Sequence, residues 1–338
     1  MGEARWSRGT LIHLDACPAC GASLVAAEYS RRDDGLAMPD VWRMVKCGRC
    51  RSIYLADRPD DESLPYAYAD YYTHQADNES ATAQAGGLLD RLINGYLNER
   101  FGMSRPWALK AGYWLFRALP PLRMKLDVYC RHVPAELCNR SGRLLDVGCG
   151  NGAFLLRARE MGLDVHGCEP DPMAVATCGR LGLDVRLGDV WTAGFPDAAF
   201  DYITLNHVIE HVSDPGRLLA KLRVMLKPGG ILWLGLPNPD ALGLSALRQG
   251  WKGLHPPFHL VIPSQAILSE WLRKAGFTEI GAARRGMQSP GLWRESISIA
   301  RREGVTVSGL HVACIRGLGD LLSSVTPRWG EETIVIAR

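Results

Sequence analysis

Three groups of side chains in this 338-residue chain have types and spacings that could do chemistry. Cys17-Pro18-Ala19-Cys20 and Cys47-Gly48-Arg49-Cys50 are two C-x-x-C pairs with 26 residues between them. Two residues between the cysteines let both thiolates turn toward one ion, and two such knuckles close the tetrahedral site that zinc prefers. Four thiolates leave no open position, so this zinc would hold structure and do no catalysis. A redox role is disfavoured because neither pair opens a βαβ pattern. The second group lies in Leu144-Leu145-Asp146-Val147-Gly148-Cys149-Gly150-Asn151-Gly152, an apolar run ending in an acid and three alternate glycines. It predicts a buried strand that turns sharply into a helix, with glycines that free the turn's backbone angles and admit a ligand close to the main chain. The third group is His207, His211 and His259, candidate bases near neutral pH. His255 and His259 have helical metal-pair spacing, but Pro256-Pro257 between them argues against a helix.

The glycine loop does not by itself choose its ligand. Gly148, Gly150 and Ala153 also fit the dinucleotide pattern G-x-G-x-x-G/A. Asp146 discriminates: a carboxylate at the strand end repels a pyrophosphate and attracts a cationic amino-acid group. At this point the sequence resembles the class I S-adenosylmethionine-dependent methyltransferases, whose first motif reads Asp-x-Gly-x-Gly-x-Gly. The resemblance continues through Glu210-His211-Val212 with Asp214-Pro215, similar to the small-molecule branch, and through Leu226-Lys227-Pro228-Gly229-Gly230, expected to be a structural turn.

That resemblance implies a donor site formed by Asp146, Gly148, Cys149, Gly150 and Gly152. Glu169, 21 residues after Gly148 and followed by Pro170, is placed to accept the ribose hydroxyls or to cap the next helix. Asp189 is either an acceptor for the adenine amino group, with Val190 packed on the ring, or a turn aspartate. Asn206 and His207, just after the fourth strand, are expected beside the sulfonium. His207 ranks first as base, His259 second. Zinc-ribbon methyltransferases of bacterial surface-polysaccharide contexts often have an Asp-Tyr-Tyr segment like Asp70-Tyr71-Tyr72. It makes Tyr72 a candidate donor lid, beside the plainer reading that these aromatic rings pack the ribbon.

The elements that must position these groups follow from periodicity. From Arg143 onward, short apolar runs alternate with helical patterns, which predicts a seven-stranded, mostly parallel Rossmann-like sheet with helices on both faces and a final antiparallel strand. Residues 1–60 are expected to form the zinc ribbon, 61–142 an aromatic segment and helical connector, and 143–338 the methyltransferase domain. Within that domain 237–263 is a candidate lid and 286–328 an insertion that shapes the acceptor pocket or an oligomer contact. In the connector, Trp107, Ala111, Trp114, Leu115 and Ala118 fall on one helical face.

Charge narrows the partners. The formal net charge is +3 over the whole chain, unlike a protein coated for nucleic acid. Met1 to Ser52 has eight Lys and Arg against six Asp and Glu, and a zinc tetrathiolate subtracts 2, leaving a neutral ribbon. Residues 86–142 have nine against four, so the connector is either a helical cap with solvated arginines or a surface for a membrane or other anionic partner. No run has signal-peptide or membrane-span length, so a cytoplasmic location is expected. The function so implied is in-line methyl transfer from S-adenosylmethionine to an oxygen of a small molecule, with a sugar or glycan precursor as the candidate acceptor. The alternatives are an RNA methyltransferase with a zinc module, a nicotinamide-dependent oxidoreductase and a non-catalytic binding module.

Overall fold

A computed structural model describes residues 6, 8–33, 40–68, 86–131, 142–284 and 290–338. Tyr71 and Tyr72, and with them the aromatic lid, lie outside the described residues. The central sheet is built from β6 (Arg143–Val147), β7 (Asp164–Glu169), β8 (Asp184–Leu187), β9 (Phe200–Asn206), β10 (Leu226–Pro237), β12 (Ile280–Ala283) and β13 (Glu332–Ala337), in the order β12-β13-β10-β9-β6-β7-β8. β6 pairs in parallel with β7 on one side and β9 on the other. Strand order therefore reverses at β6, the place where open α/β sheets receive their ligands. Asp146 is in register with Thr204 of β9 and Gly167 of β7. Leu144 and Leu145 are buried, which accounts for the uninterrupted apolar run of a strand covered on both faces. The expected Lys227-Pro228-Gly229-Gly230 turn is instead contained in β10, with Gly229 at φ +75° and the Lys227 ammonium 2.7 Å from Asp201 Oδ2.

The chain divides into two compact units, one of residues 72–206, 221–234 and 336–338, the other of 1–71, 207–220 and 235–335. The first contains the glycine loop and the connector helices α2 (Leu88–Phe101), α3 (Ala111–Ala118) and α4 (Pro120–Tyr129). α2 and α3 cross so closely that a Cβ on Gly95 or Gly112 would collide with the backbone of Leu109 or Leu92. The Tyr96 ring is surrounded by Phe101, Tyr113 and Phe116, and its hydroxyl donates to Asp127 Oδ1 at 2.6 Å. α3 buries Gly112 and Phe116, while its apolar stripe of Ala111, Trp114, Leu115 and Ala118 points to solvent.

The second unit contains an antiparallel pair, β1 (Leu11–His13) with β5 (Asp57–Pro59), a short helix α1 (Leu64–Tyr68), and a four-stranded sheet, β11-β4-β3-β2, formed by β2 (Val25–Arg32), β3 (Val41–Cys47), β4 (Ile53–Leu55) and β11 (Val261–Ile262). The ribbon is thus extended by a strand from the stretch 237–263. Val261 pairs with Tyr54 and Ile262 with Ile53. Buried Arg31 donates to the Trp251 carbonyl at 2.6 Å, Lys46 to Pro239 O at 2.5 Å, and the Ser264 amide to Ser52 Oγ at 2.9 Å. Trp251, Leu254, Phe258 and Leu260 are all buried, so much of the expected lid is core.

Candidate functional site

The glycine loop takes the form its composition predicts. Gly148, Gly150 and Gly152 all have positive φ, at 67°, 54° and 78°. Gly152 lacks room for a side chain, since a Cβ would meet Leu183 and Cys178, whereas around Gly150 a Cβ would find nothing within 4 Å. The first is a packing glycine, and the second leaves open backbone toward which a ligand can come. Glu169 accepts the Gly150 amide at 2.9 Å through Oε2 and the Asp171 amide at 3.1 Å through Oε1. Burial pushes its pKa up against these two amides. Each oxygen retains a second lone pair, so Glu169 can both clamp the loop and accept a hydroxyl.

Asp146 is fully buried at the end of β6. Its Oδ1 accepts the Thr204 hydroxyl at 2.6 Å and an Arg131 N–H, while Oδ2 has no hydrogen-bond partner. Burial raises its pKa, and Arg131 and Thr204 only partly oppose that. Arg131 was invisible to motif reading, since its partner is 15 residues away in the chain and no spacing rule links them. Its guanidinium lies 4.0 Å from the Phe154 ring centroid. An acid with one free buried oxygen beside a held cation is a complementary pair for a zwitterion, such as the amino-acid end of a methyl donor. Cys149 is buried, as is Val190, and Pro170 is exposed after β7. Asp189 Oδ1 accepts the Trp191 and Thr192 amides at 3.0 and 2.9 Å, so one oxygen makes the turn and Oδ2 remains for another donor.

Asn206 ends β9, and the next residue begins a second cluster, inside the other unit. His207 has φ +55°, uncommon for a residue with a side chain. Its Nδ1 is 3.2 Å from Glu210 Oε1 and its Nε2 3.2 Å from Glu332 Oε1. Burial favours the neutral ring, but the two carboxylates outweigh it and raise the His207 pKa to about 10. The other histidines move the opposite way: burial lowers the pKa of His211, and burial with the neighbouring His211 and His255 lowers that of His259 well below the usual range. The His211 and His259 rings meet edge to face at 4.7 Å. His259 Nδ1 is 2.8 Å from the Gly253 carbonyl, an acceptor only, so the neutral ring carries its proton there and presents a bare Nε2. His259 Nε2 lies 3.8 Å from Glu210 Oε1, and donor atoms of Glu210, His211 and His259 all fall within 4.8 Å of one another, a set able to hold a divalent ion. His259, which the sequence reading paired with His255 as metal spacing, reaches this set through Glu210 and His211.

The four cysteines converge as expected. Cys17 and Cys50 sulfurs are 3.6 Å apart and those of Cys20 and Cys47 3.7 Å. Sulfurs about 2.3 Å from a tetrahedral zinc are separated by about 3.8 Å, so the donor set and its geometry fit that ion.

The methyltransferase domain family matches residues 122–280. The ubiquinone biosynthesis O-methyltransferase of Cereibacter sphaeroides is 30% identical over 183 residues, which cover 50% of this chain and 72% of that protein. The chain belongs to the S-adenosylmethionine-dependent methyltransferases. The methyltransferase is also 31% identical over 171 residues to the ubiquinone biosynthesis O-methyltransferase of Xanthomonas axonopodis pv. citri, covering 46% of this chain and 71% of that one. A S-adenosylmethionine-dependent methyltransferase structure from Archaeoglobus fulgidus covers 67% of this chain and 98% of its own, at 19% identity and a TM-score of 0.43. Membership decides for a methyl donor over a nicotinamide at the glycine loop of this methyltransferase.

Proposed function

We propose that this methyltransferase transfers a methyl group to an oxygen of a small molecule, with the donor held by the β6 loop and the acceptor's proton taken by a histidine. S-adenosylmethionine supplies an electrophilic methyl group on a sulfonium. Asp146 Oδ2 and Arg131 bind the ammonium and carboxylate of its amino-acid end, Glu169 the ribose, and Asp189 with Val190 the adenine. Gly148, Cys149 and Gly150 provide backbone contact, and Asn206 and Pro170 border the site. Oxygen as the acceptor atom is supported by the relatives, which are O-methyltransferases by name. A sugar or glycan precursor is the acceptor to which the ribbon resemblance points. The four thiolates of Cys17, Cys20, Cys47 and Cys50 hold a structural zinc.

The observation that supports the assignment of roles is the seat of His207 between two carboxylates, beside a His211–His259 pair whose burial favours the neutral rings. A base must be neutral before it acts, and His207, held between Glu210 and Glu332, is cationic at neutral pH. His211 is neutral and partly exposed, whereas His259 is buried. His211 is therefore the base, His259 packs against it, and cationic His207 neutralises Glu210. His211→Ala is expected to lower kcat by about two to four orders of magnitude with donor affinity unchanged, read by transfer of labelled methyl to the active acceptor. Unchanged kcat would remove His211 from this role. A panel of nucleotide sugars, glycan precursors, phenols and RNA, each incubated with labelled donor, identifies the acceptor class.

The pH dependence follows with a definite sign. Activity should rise as His211 loses its proton, at a pH below the ordinary histidine value of about 6.5. It should then hold level through neutrality and fall as His207 loses its own proton near pH 10. Glu332→Gln removes one of the carboxylates that keep His207 charged, so the alkaline limb should move down while the acid limb stays. A kcat/KM profile of the two proteins checks both limbs, and an alkaline limb fixed in place would contradict the pairing.

A further inference from the structure

Helix α3 is amphipathic the wrong way round for a core helix. Its small buried side, Gly112 and Phe116, packs on α2, while Trp114, Leu115 and the following Leu119 and Leu122 are exposed, Trp114 at 67%. Leu88 and Leu89 at the start of α2 are exposed at 67% and 61%. Charge on the same segment is one-sided. From Arg100 to Leu126 there are six Lys and Arg and no Asp or Glu. Arg91, Arg117 and Lys125 make no ion pair with a described residue, and the Arg117 guanidinium lies 5.9 Å from the Trp114 ring.

We propose that α2 to α4 form a docking surface for an anionic lipid bilayer. Exposed tryptophan and leucine beside unpaired cations match the two layers of a membrane interface, where rings and aliphatic chains enter below the headgroups and cations remain among the phosphates. No helix among the described residues is long and apolar enough to cross a membrane, so the surface lies on the bilayer and does not span it. Charge complementarity chooses this occupant over a second copy of the chain, because two such faces would bring like charges together. It also favours lipid over nucleic acid, whose phosphates would pair with the cations but leave the leucines in water. The surface is independent of the acceptor's identity.

The full chain is expected to co-sediment with vesicles of phosphatidylcholine and phosphatidylglycerol, and far less with phosphatidylcholine alone. Binding should weaken as salt is added. One surface cation contributes roughly a fivefold gain in partition, so Arg117→Ala with Lys125→Ala should reduce binding roughly 25-fold. Trp114→Ser with Leu115→Ser should reduce it at least about tenfold through lost apolar burial. All these side chains are exposed, and both double variants should retain the wild-type melting temperature and donor affinity, which verifies their fold. Failure of the wild type to bind either vesicle, or binding indifferent to both double variants, overturns the proposal. So does a dimer that Trp114→Ser with Leu115→Ser dissolves in the absence of vesicle binding.

Discussion

Asp146→Asn is expected to raise the dissociation constant for S-adenosylmethionine about 30- to 1,000-fold, the equivalent of roughly 2–4 kcal/mol for a charged hydrogen-bond partner lost from a buried site. Two consequences of this substitution compete. Breaking a buried ion pair commonly destabilises by about 3–5 kcal/mol, because a bare charge stays behind. Here the cost should be smaller. Burial already raises the Asp146 pKa despite Arg131 and Thr204, so removing the carboxylate also removes a desolvation penalty. Arg131 would retain the Phe154 ring 4.0 Å away and the Thr204 hydroxyl at 3.2 Å. The variant should therefore remain folded and lose the donor. Isothermal titration with donor and a thermal melt separate the two effects, and a large fall in melting temperature with unchanged affinity would make Asp146 structural only.

Loss of the proposed zinc should be still more damaging, and its damage should be local. A structural zinc contributes about 10–16 kcal/mol in zinc-finger peptides at neutral pH, comparable with the entire stability of about 5–15 kcal/mol of an ordinary domain. Cys47 ends β3 and is itself a proposed ligand, and the sheet continues through β4 to β11. Chelation, or Cys20→Ser with Cys50→Ser, is expected to abolish amide-exchange protection in Val41–Cys47, Ile53–Leu55 and Val261–Ile262. The β6 loop belongs to the other compact unit and should keep its protection. One zinc per native chain, measured by atomic emission, is the companion expectation. Full protection of β3 and β11 in the double variant would show that packing alone sustains the ribbon.

What could be read from the sequence were the features set by short-range covalent spacing. Two C-x-x-C knuckles determine how each pair of sulfurs points, and the alternate glycines after Asp146 determine a turn with positive φ at all three. The run Leu144 to Val147 reads as a covered strand because three of its four residues are apolar and the chain turns at the glycines directly after it. The tertiary structure decided the rest, for one physical reason: the relevant partners are distant in sequence. Glu332 lies 125 residues from His207, yet with Glu210 it makes that ring a cation, which is the ground on which we propose His211 as the base. Arg131 reaches Asp146 from the connector, across a chain separation no motif encodes. Helical periodicity found the stripe of Ala111, Trp114, Leu115 and Ala118, but a period does not say which side faces the core. The glycine-mediated crossing of α2 and α3 buried the opposite side and left the apolar one in solvent.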